Sequence, residues 1–151
     1  MKNLLDQPVT DQEIIKKLIP QKFPFVMVDS LFYFDETTAV SGLTISRENI
    51  LSTETHFSEA GIIENMAQSV ALHGGYGAFL YADGKEEVKK GFLGAIKFLE
   101  IHELPPINSR IKTHIEVSHD IMGVKLSNIS VKDETGKTIA VSTMKTVTVS
   151  D

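Results

Sequence analysis

Residues 60–81 read AGIIENMAQSVALHGGYGAFLY and form the most apolar stretch of the chain. Apolar side chains recur there at helical spacing, as at Met66 and Val70, and others widen the stripe. The pattern therefore predicts a helix over 60–82 that is buried on most of its sides. Glu64 is the only formal charge in the stretch. Because a glutamate is rarely buried without a partner or a task, its position is the first indication of function.

Strand and turn signals surround this helix. A capping-box pattern at 10–13 opens a short helix, which Pro20 ends. Runs of β-branched, aliphatic and aromatic residues predict strands over 25–34 and 37–46. A charged, glycine-containing segment at 83–90 predicts an exposed loop. Four strands are predicted after it, the last two as an antiparallel pair: 92–101, 110–120, 124–132 and 138–149.

Strands segregated from one long helix predict an α+β fold. An antiparallel sheet wrapped around the helix would account for the lack of charge on the helix. The 151 residues fit one domain spanning 1–151. Part of the apolar helix surface, or an edge of the sheet, is expected to be covered by a second subunit.

Composition excludes several classes of function. The net charge is −5 with no basic block, which disfavours nucleic acid as a partner. The chain contains no cysteine, which excludes disulfides, thiolate metal sites and a cysteine nucleophile. No apolar run is long enough for membrane insertion, and residues 1–17 lack the apolar core of a signal peptide. The expected location is the cytoplasm.

Several groups in and before the helix are suited to proton transfer. His56 precedes the helix start, and near neutral pH an imidazole can accept or give a proton. Glu64 follows in the second turn, where a carboxyl can donate a proton to a leaving hydroxyl or hold it. Free backbone amides at Gly61 and Ile62 would polarise a thioester carbonyl. Gln68, one turn after Glu64, is placed to orient the carboxyl. Together these groups predict proton abstraction beside a carbonyl with loss of a hydroxyl.

Structural roles stay open for the same residues. Glu64 could form a buried ion pair with Lys97 or Arg110, and Gln68 could make a hydrogen bond across a subunit interface. His56 could be a surface or helix-capping residue. The remaining histidines match no zinc-site spacing of the HExxH type, so we expect no metal site and no protein-bound cofactor.

Two motifs resemble the 3-hydroxyacyl-ACP dehydratase family. Residues 19–29, IPQKFPFVMVD, are similar to the family's opening Leu-Pro-His-Arg-Tyr-Pro-Phe-Leu-Leu-Val-Asp, with Gln21 in place of the histidine. Residues 62–68, IIENMAQ, resemble its helix motif Ile-Ile-Glu-Ala-Met-Ala-Gln. The strand around 95–98 and the prolines at 105–106 also fit the family, so the resemblance covers nearly the whole chain.

The resemblance implies the hotdog fold, with a dimer as the working unit. It implies syn elimination of water from a (3R)-3-hydroxyacyl chain held on the phosphopantetheine of an acyl carrier protein. Glu64 maps onto the family's carboxylate, and His56-Phe57 onto the start of its His-Phe-Pro-Gly segment. The loop after His56 is shorter here by roughly half a dozen residues, and the chain looks more like the divergent dehydratases of aryl-polyene and flexirubin-type pigment pathways than the housekeeping fatty-acid enzyme. The expected assembly is a homodimer or higher homo-oligomer, or a complex with a related dehydratase subunit.

Two other functions fit the same fold: hydrolysis of acyl thioesters, and non-catalytic acyl binding as a partner subunit. An extended acyl chain requires a mostly apolar tunnel. The candidate lining residues, which could equally be ordinary core, are Phe23, Phe25, Met66, Val70 and Phe98.

Overall fold

A long helix packed on an antiparallel sheet dominates the structure, a computed structural model that describes residues 2–81 and 90–149. The sheet order is β1-β2-β4-β5-β6-β3, all pairs are antiparallel, and the second helix packs across the sheet. This is the α+β hotdog architecture expected from the sequence. In chain order the elements are α1 (Gln12–Leu18), β1 (Ser30–Phe34), β2 (Thr38–Thr44), α2 (Glu59–Tyr81), β3 (Lys90–Ile101), β4 (Arg110–Ile121), β5 (Val124–Lys132) and β6 (Thr138–Val149).

Helix α2 continues without interruption through its glycine-rich half. A Cβ on Gly75 would overlap the carbonyl oxygen of Leu18, the last residue of α1. Glycine therefore allows close approach of the two helices, at the expense of helix propensity. Neither helix among the described residues combines the length and hydropathy that a membrane crossing requires.

Most predicted boundaries agree with the structure to within a few residues. Strands β5 and β6 match the predicted 124–132 and 138–149, and their connecting turn is closed by Asp133, whose Oδ1 accepts from the amides of Thr135 and Lys137. Helix α1 begins one residue later than the capping box suggested, because the Asp11 carboxylate accepts from the Glu13 amide. The loop predicted at 83–90 lies, except for Lys90, outside the described residues.

The predicted strand over 25–34 is wrong in its first half. Only Ser30–Phe34 pairs in the sheet. The backbone of Phe25 and Met27 instead makes hydrogen bonds with side-chain amides of α2. Backbone groups that are satisfied by a helix have no need of a neighbouring strand.

Strand β3 is an edge of the sheet, with β6 as its one described neighbour. Nearly every residue of β3 is exposed, including four large apolar side chains. A long exposed apolar edge readily pairs with another chain. A second subunit, expected from the sequence, could therefore pair with this edge. The four side chains are Phe92, Leu93, Ile96 and Phe98.

Candidate functional site

The carboxylate of Glu64 lies half-buried in the second turn of α2. Its Oε1 accepts a hydrogen bond of 2.8 Å from Nε2 of Gln68, one turn further along the helix. Among the described residues Glu64 forms no ion pair, so the structural alternative of a bridge to Lys97 or Arg110 is not realised. The carboxylate is therefore oriented by a neutral amide while Oε2 is left free of described partners.

Gln68 is fully buried, and both the nitrogen and the oxygen of its side-chain amide make hydrogen bonds. Besides Glu64, Nε2 donates to the carbonyl oxygen of Phe25 at 2.6 Å. Its Oε1 accepts from the amide of Met27 at 2.7 Å. Because these partners need opposite ends of the amide, they determine its orientation. Gln68 thus joins the segment around 25–27 to the candidate acid in one subunit.

Asn65, which the sequence analysis did not single out, is the second buried amide of this helix face. Its Nδ2 donates to the carbonyl oxygen of Met27 at 2.8 Å, and its Oδ1 accepts from the Thr113 hydroxyl at 2.6 Å. Asn65 contacts the same segment as Gln68 but makes no hydrogen bond to Glu64. Asn65 could have been found from the sequence as an amide within a run of apolar residues, because a polar group buried there needs a hydrogen-bond partner.

His56 lies in an exposed segment whose backbone is well held. His56 forms an isolated β-bridge with Pro106. Its amide and its carbonyl both make hydrogen bonds to Thr53. Its Nδ1 lies 2.8 Å from the hydroxyl of Thr55, where either atom can donate. Among the described residues no hydrogen bond or ion pair joins His56 to Glu64. One subunit therefore presents the two groups without bringing them into contact.

The start of α2 differs from the expected arrangement of free donors. The Gly61 amide donates to the Ser58 hydroxyl at 3.1 Å, and the Ile62 amide donates to the Ser58 carbonyl at 3.0 Å. A Cβ on Gly61 would overlap the ring of Phe57, so that space is filled. Helix capping thus uses both amides predicted for an oxyanion, and Gly61 is open to no ligand in this subunit.

A cavity of about 370 Å³ lies between the glycine-rich half of α2 and the sheet. The helix face that carries Glu64 continues into its wall at helical spacing, through Ala67, Ala71, Gly74 and Ala78. Because these side chains are small, they leave space for a ligand between the helix and the sheet. Polar groups also reach the cavity; they are Gln21, whose buried Oε1 has no described partner, Asp120 and Lys125.

Of the five tunnel candidates, Val70 alone lines this cavity. Met66 is fully buried in the core. Phe23 and Phe25 are 90% and 52% exposed, because their segment turns its backbone, not its rings, toward α2. Phe98 is 48% exposed on the edge strand β3. Within one subunit these three rings form no tunnel.

His73, the one histidine of α2, is buried against the rings of Phe34 and Tyr76. Burial lowers its pKa, and the hydrogen bond to the carbonyl of Asp35 opposes that shift only in part. A neutral imidazole with this packing is a core residue. It lies more than two turns beyond Glu64 and makes no hydrogen bond to it.

Comparison with known proteins adds a family and a fold. Residues 13–150 match the model of a family described as ApeP-like, ApeP dehydratase. A 3-hydroxyacyl-[acyl-carrier-protein] dehydratase FabZ from Roseobacter denitrificans is 29% identical over 76 residues. That alignment covers 44% of this chain and 47% of FabZ, so the chain spans about half the length of this curated relative.

Solved structures share the fold at low identity. The dehydratase heterocomplex ApeI:P from Xenorhabdus doucetiae matches with a TM-score of 0.75 and 16% identity, covering 91% of each chain. The PaaI protein from the phenylacetic acid degradation operon of E. coli matches with a TM-score of 0.60 and 13% identity, covering 78% of this chain and 80% of PaaI. A hypothetical thioesterase from Streptococcus pneumoniae, solved with coenzyme A, matches with a TM-score of 0.57 and 7% identity. The match covers 80% of this chain and 85% of the thioesterase.

Proposed function

Because the chain belongs to the ApeP-like dehydratase family, we propose that it removes water from (3R)-3-hydroxyacyl chains to give trans-2-enoyl chains. The substrate would be a thioester on the phosphopantetheine arm of an acyl carrier protein, in a fatty-acid-like or polyene pigment pathway. The observation that carries the proposal is the Glu64 carboxylate, oriented by Gln68 and free of described cations beside a helix-lined cavity. No resident cofactor is needed, and the proposed location is the cytoplasm.

The proposed reaction uses two side chains. His56 accepts the proton from C2 of the acyl chain, and the electron pair of the broken C–H bond forms the C2–C3 double bond. Glu64, with its carboxyl group protonated, donates that proton to the 3-hydroxyl as the C3–O bond breaks, and the hydroxyl leaves as water. The amides of Glu59 and Ala60, which have no hydrogen-bond partner among the described residues, would polarise the thioester carbonyl in place of those of Gly61 and Ile62.

Two subunits would complete this site. His56 and Glu64 do not meet in one subunit, and the exposed β3 edge offers a surface for a second chain. We infer that His56 of one protomer faces Glu64 across a dimer interface. The second chain would be another copy or a related dehydratase subunit, and it would cover Phe23, Phe25 and Phe98.

The acyl chain would occupy the cavity along α2. From Ala67 to Ala78 the helix rises about 16 Å, which matches an extended chain entering from the side of Glu64. The mainly small and apolar helix wall suits the methylene or polyene part of such a chain.

Substitution of each proposed catalytic residue tests the reaction. Glu64→Gln keeps the shape and the hydrogen bond but cannot transfer a proton, and His56→Ala removes the base, so each should abolish enoyl formation. Matched controls are Glu48→Gln and His102→Ala, both at exposed positions outside the proposed site. Absorbance of the conjugated enoyl thioester and thermal unfolding are measured together.

Each alternative gives a distinct result. Turnover near that of the wild type in both variants rejects the assignment of His56 and Glu64. Release of free thiol without a conjugated product identifies a thioester hydrolase. Tight acyl binding with no turnover identifies a non-catalytic partner subunit.

A further inference from the structure

Thr55 supplies the one described hydrogen-bond partner of the His56 ring. Its Oγ1 lies 2.8 Å from Nδ1 of His56. Among the described residues no carboxylate comes within ion-pair distance of this imidazole, although a carboxylate is a common partner of a histidine that accepts protons. The adjacent hydroxyl is therefore the group available to orient the ring.

The backbone around His56 is held without help from the Thr55 side chain. The Thr55 carbonyl accepts from the Ile107 amide at 2.9 Å, and the residue after His56 donates its amide to the Pro105 carbonyl at 2.9 Å. His56 itself makes hydrogen bonds to Thr53 through its amide and its carbonyl. These bonds fix the point at which the His56 side chain leaves the backbone. The rotation of its ring is left to be determined by the bond to Nδ1.

That bond also decides which ring nitrogen can act. With Nδ1 engaged by Thr55, Nε2 is the nitrogen left for a ligand. Nε2 can accept a proton only when the ring hydrogen is on Nδ1, and Nδ1 then donates to the Thr55 oxygen. If the hydroxyl donated instead, the ring hydrogen would be on Nε2 and neither nitrogen would have a free lone pair. A base at this position therefore requires Thr55 to be the acceptor.

Resting on the proposed function, we propose that Thr55 is a positioning residue, whose hydroxyl oxygen keeps the ring hydrogen of His56 on Nδ1 and presents Nε2 to the substrate. Nε2 takes the proton from C2, and the electron pair of that C–H bond forms the C2–C3 double bond. The C3–O bond breaks as the hydroxyl receives the proton of Glu64. The His56 ring then carries a hydrogen on each nitrogen. Because Nδ1 donates to Thr55 in the neutral ring and in the cation alike, the bond persists through the step.

Thr53, two residues earlier, has a different role and offers a comparison. Its Oγ1 accepts from the amides of Thr55 and His56 at 3.3 Å and 3.1 Å, and donates to the carbonyl of His56 at 3.0 Å. The Thr53 hydroxyl therefore supports the turn of the backbone, whereas the Thr55 hydroxyl is bonded to the ring. Removal of the first should lower stability, and removal of the second should leave stability nearly unchanged.

Isosteric substitution separates ring orientation from folding. Thr55→Val removes the hydroxyl and keeps the shape, Thr55→Ser keeps the hydroxyl, and Thr53→Val removes the hydroxyl that supports the turn. Thr10→Val is a control at an exposed threonine outside the proposed site. Long-range proton–nitrogen NMR, at a pH where the ring is neutral, reports which nitrogen of His56 carries the hydrogen, and His56→Ala assigns the signal. Dehydration kinetics and thermal unfolding are measured on the same proteins.

We expect the ring hydrogen of His56 on Nδ1 in the wild type and in Thr55→Ser, and a shift toward Nε2 in Thr55→Val. In Thr55→Val kcat should fall about tenfold while KM and unfolding stay unchanged, because a misoriented base slows the reaction without weakening binding. Thr55→Ser should restore kcat, Thr53→Val should unfold at a lower temperature, and Thr10→Val should match the wild type throughout.

A ring hydrogen on Nε2 in the wild type overturns the inference, as does a tautomer or a kcat that is unchanged in Thr55→Val. A fall in kcat that Thr55→Ser shares, or that accompanies lower stability in Thr55→Val, also overturns it, since Thr55 would then support the fold. If none of the proteins dehydrates a 3-hydroxyacyl thioester, the proposed function fails, while the NMR result still decides whether Thr55 sets the tautomer of His56.

Discussion

Gln68 holds the carboxylate of Glu64 with the same amide nitrogen that holds the carbonyl oxygen of Phe25. One side chain therefore couples the position of the candidate acid to the exposed aromatic segment that precedes β1. The buried amide of Gln68 has three described partners, the third being the amide of Met27. The loss of any one of these hydrogen bonds should therefore disturb the other two.

Replacing Gln68 with Ala should lower kcat about tenfold to a hundredfold, because Glu64 loses the bond that orients it. The Phe25 carbonyl and the buried Met27 amide are left unpaired, so the free energy of unfolding should also fall by about 2 kcal/mol. Steady-state kinetics and urea unfolding measure the two effects on the same preparation.

Asn65→Ala is the matched control, because Asn65 contacts the same segment without touching Glu64. It should lose similar stability and retain kcat for the folded fraction. An equal loss of kcat in both variants would mean that Gln68 supports the fold rather than the carboxylate.

The periodic patterns were sufficient to predict most of the architecture. The β5–β6 hairpin agrees with prediction because alternation and turn residues are local properties of the sequence. The prediction of a strand over 25–29 was wrong because Phe25 and Met27 make hydrogen bonds to the side chains of Asn65 and Gln68, some forty residues later in the chain. A strand-like composition does not reveal that a helix satisfies the backbone.

The candidate site was predicted less completely than the fold. Glu64 and Gln68 could be paired from their helical spacing, since residues four apart are neighbours on a helix. The use of Gly61 by the cap depends on the rotamer of Ser58 and the ring of Phe57, which no spacing specifies. The cavity arises from absent side chains, whereas sequence reasoning searched for large apolar ones.

A larger side chain in the cavity wall should limit the length of acyl chain that the protein accepts, and the limit should depend on how far along α2 the side chain lies. Ala71 and Ala78 lie about 10 Å and 21 Å along α2 from Glu64. Ala71→Leu should abolish turnover of medium and long chains, and Ala78→Leu only that of the longest. Short-chain substrates serve as the internal control, with kcat/KM measured across a series of chain lengths. Identical chain-length profiles in the two variants would show that the acyl chain does not run along α2.

A charge on the exposed edge of β3 should prevent assembly. Ile96→Lys places an ammonium within the strand that we expect a second chain to cover, which is unfavourable in a buried interface. Sedimentation should show a shift to monomer together with loss of activity, since the proposed site needs two subunits. Ile14→Glu, on the exposed side of α1, is the control and should keep both properties. An active, assembled Ile96→Lys variant would place the subunit contact elsewhere.

Two glycines of α2 should respond oppositely to the same substitution. A Cβ at Gly75 overlaps the Leu18 carbonyl oxygen, so Gly75→Ala forces α1 away from α2 and should cost about 2 kcal/mol. At Gly77 the nearest atom to an added Cβ is in the ring of Phe34 at 3.5 Å, an ordinary contact. Gly77→Ala should therefore stabilise the protein by up to about 1 kcal/mol, through helix propensity alone. Urea unfolding of both variants measures the contrast. Equal stabilisation by the two alanines would show that α1 does not pack on Gly75, because propensity would then be the one term acting at both positions.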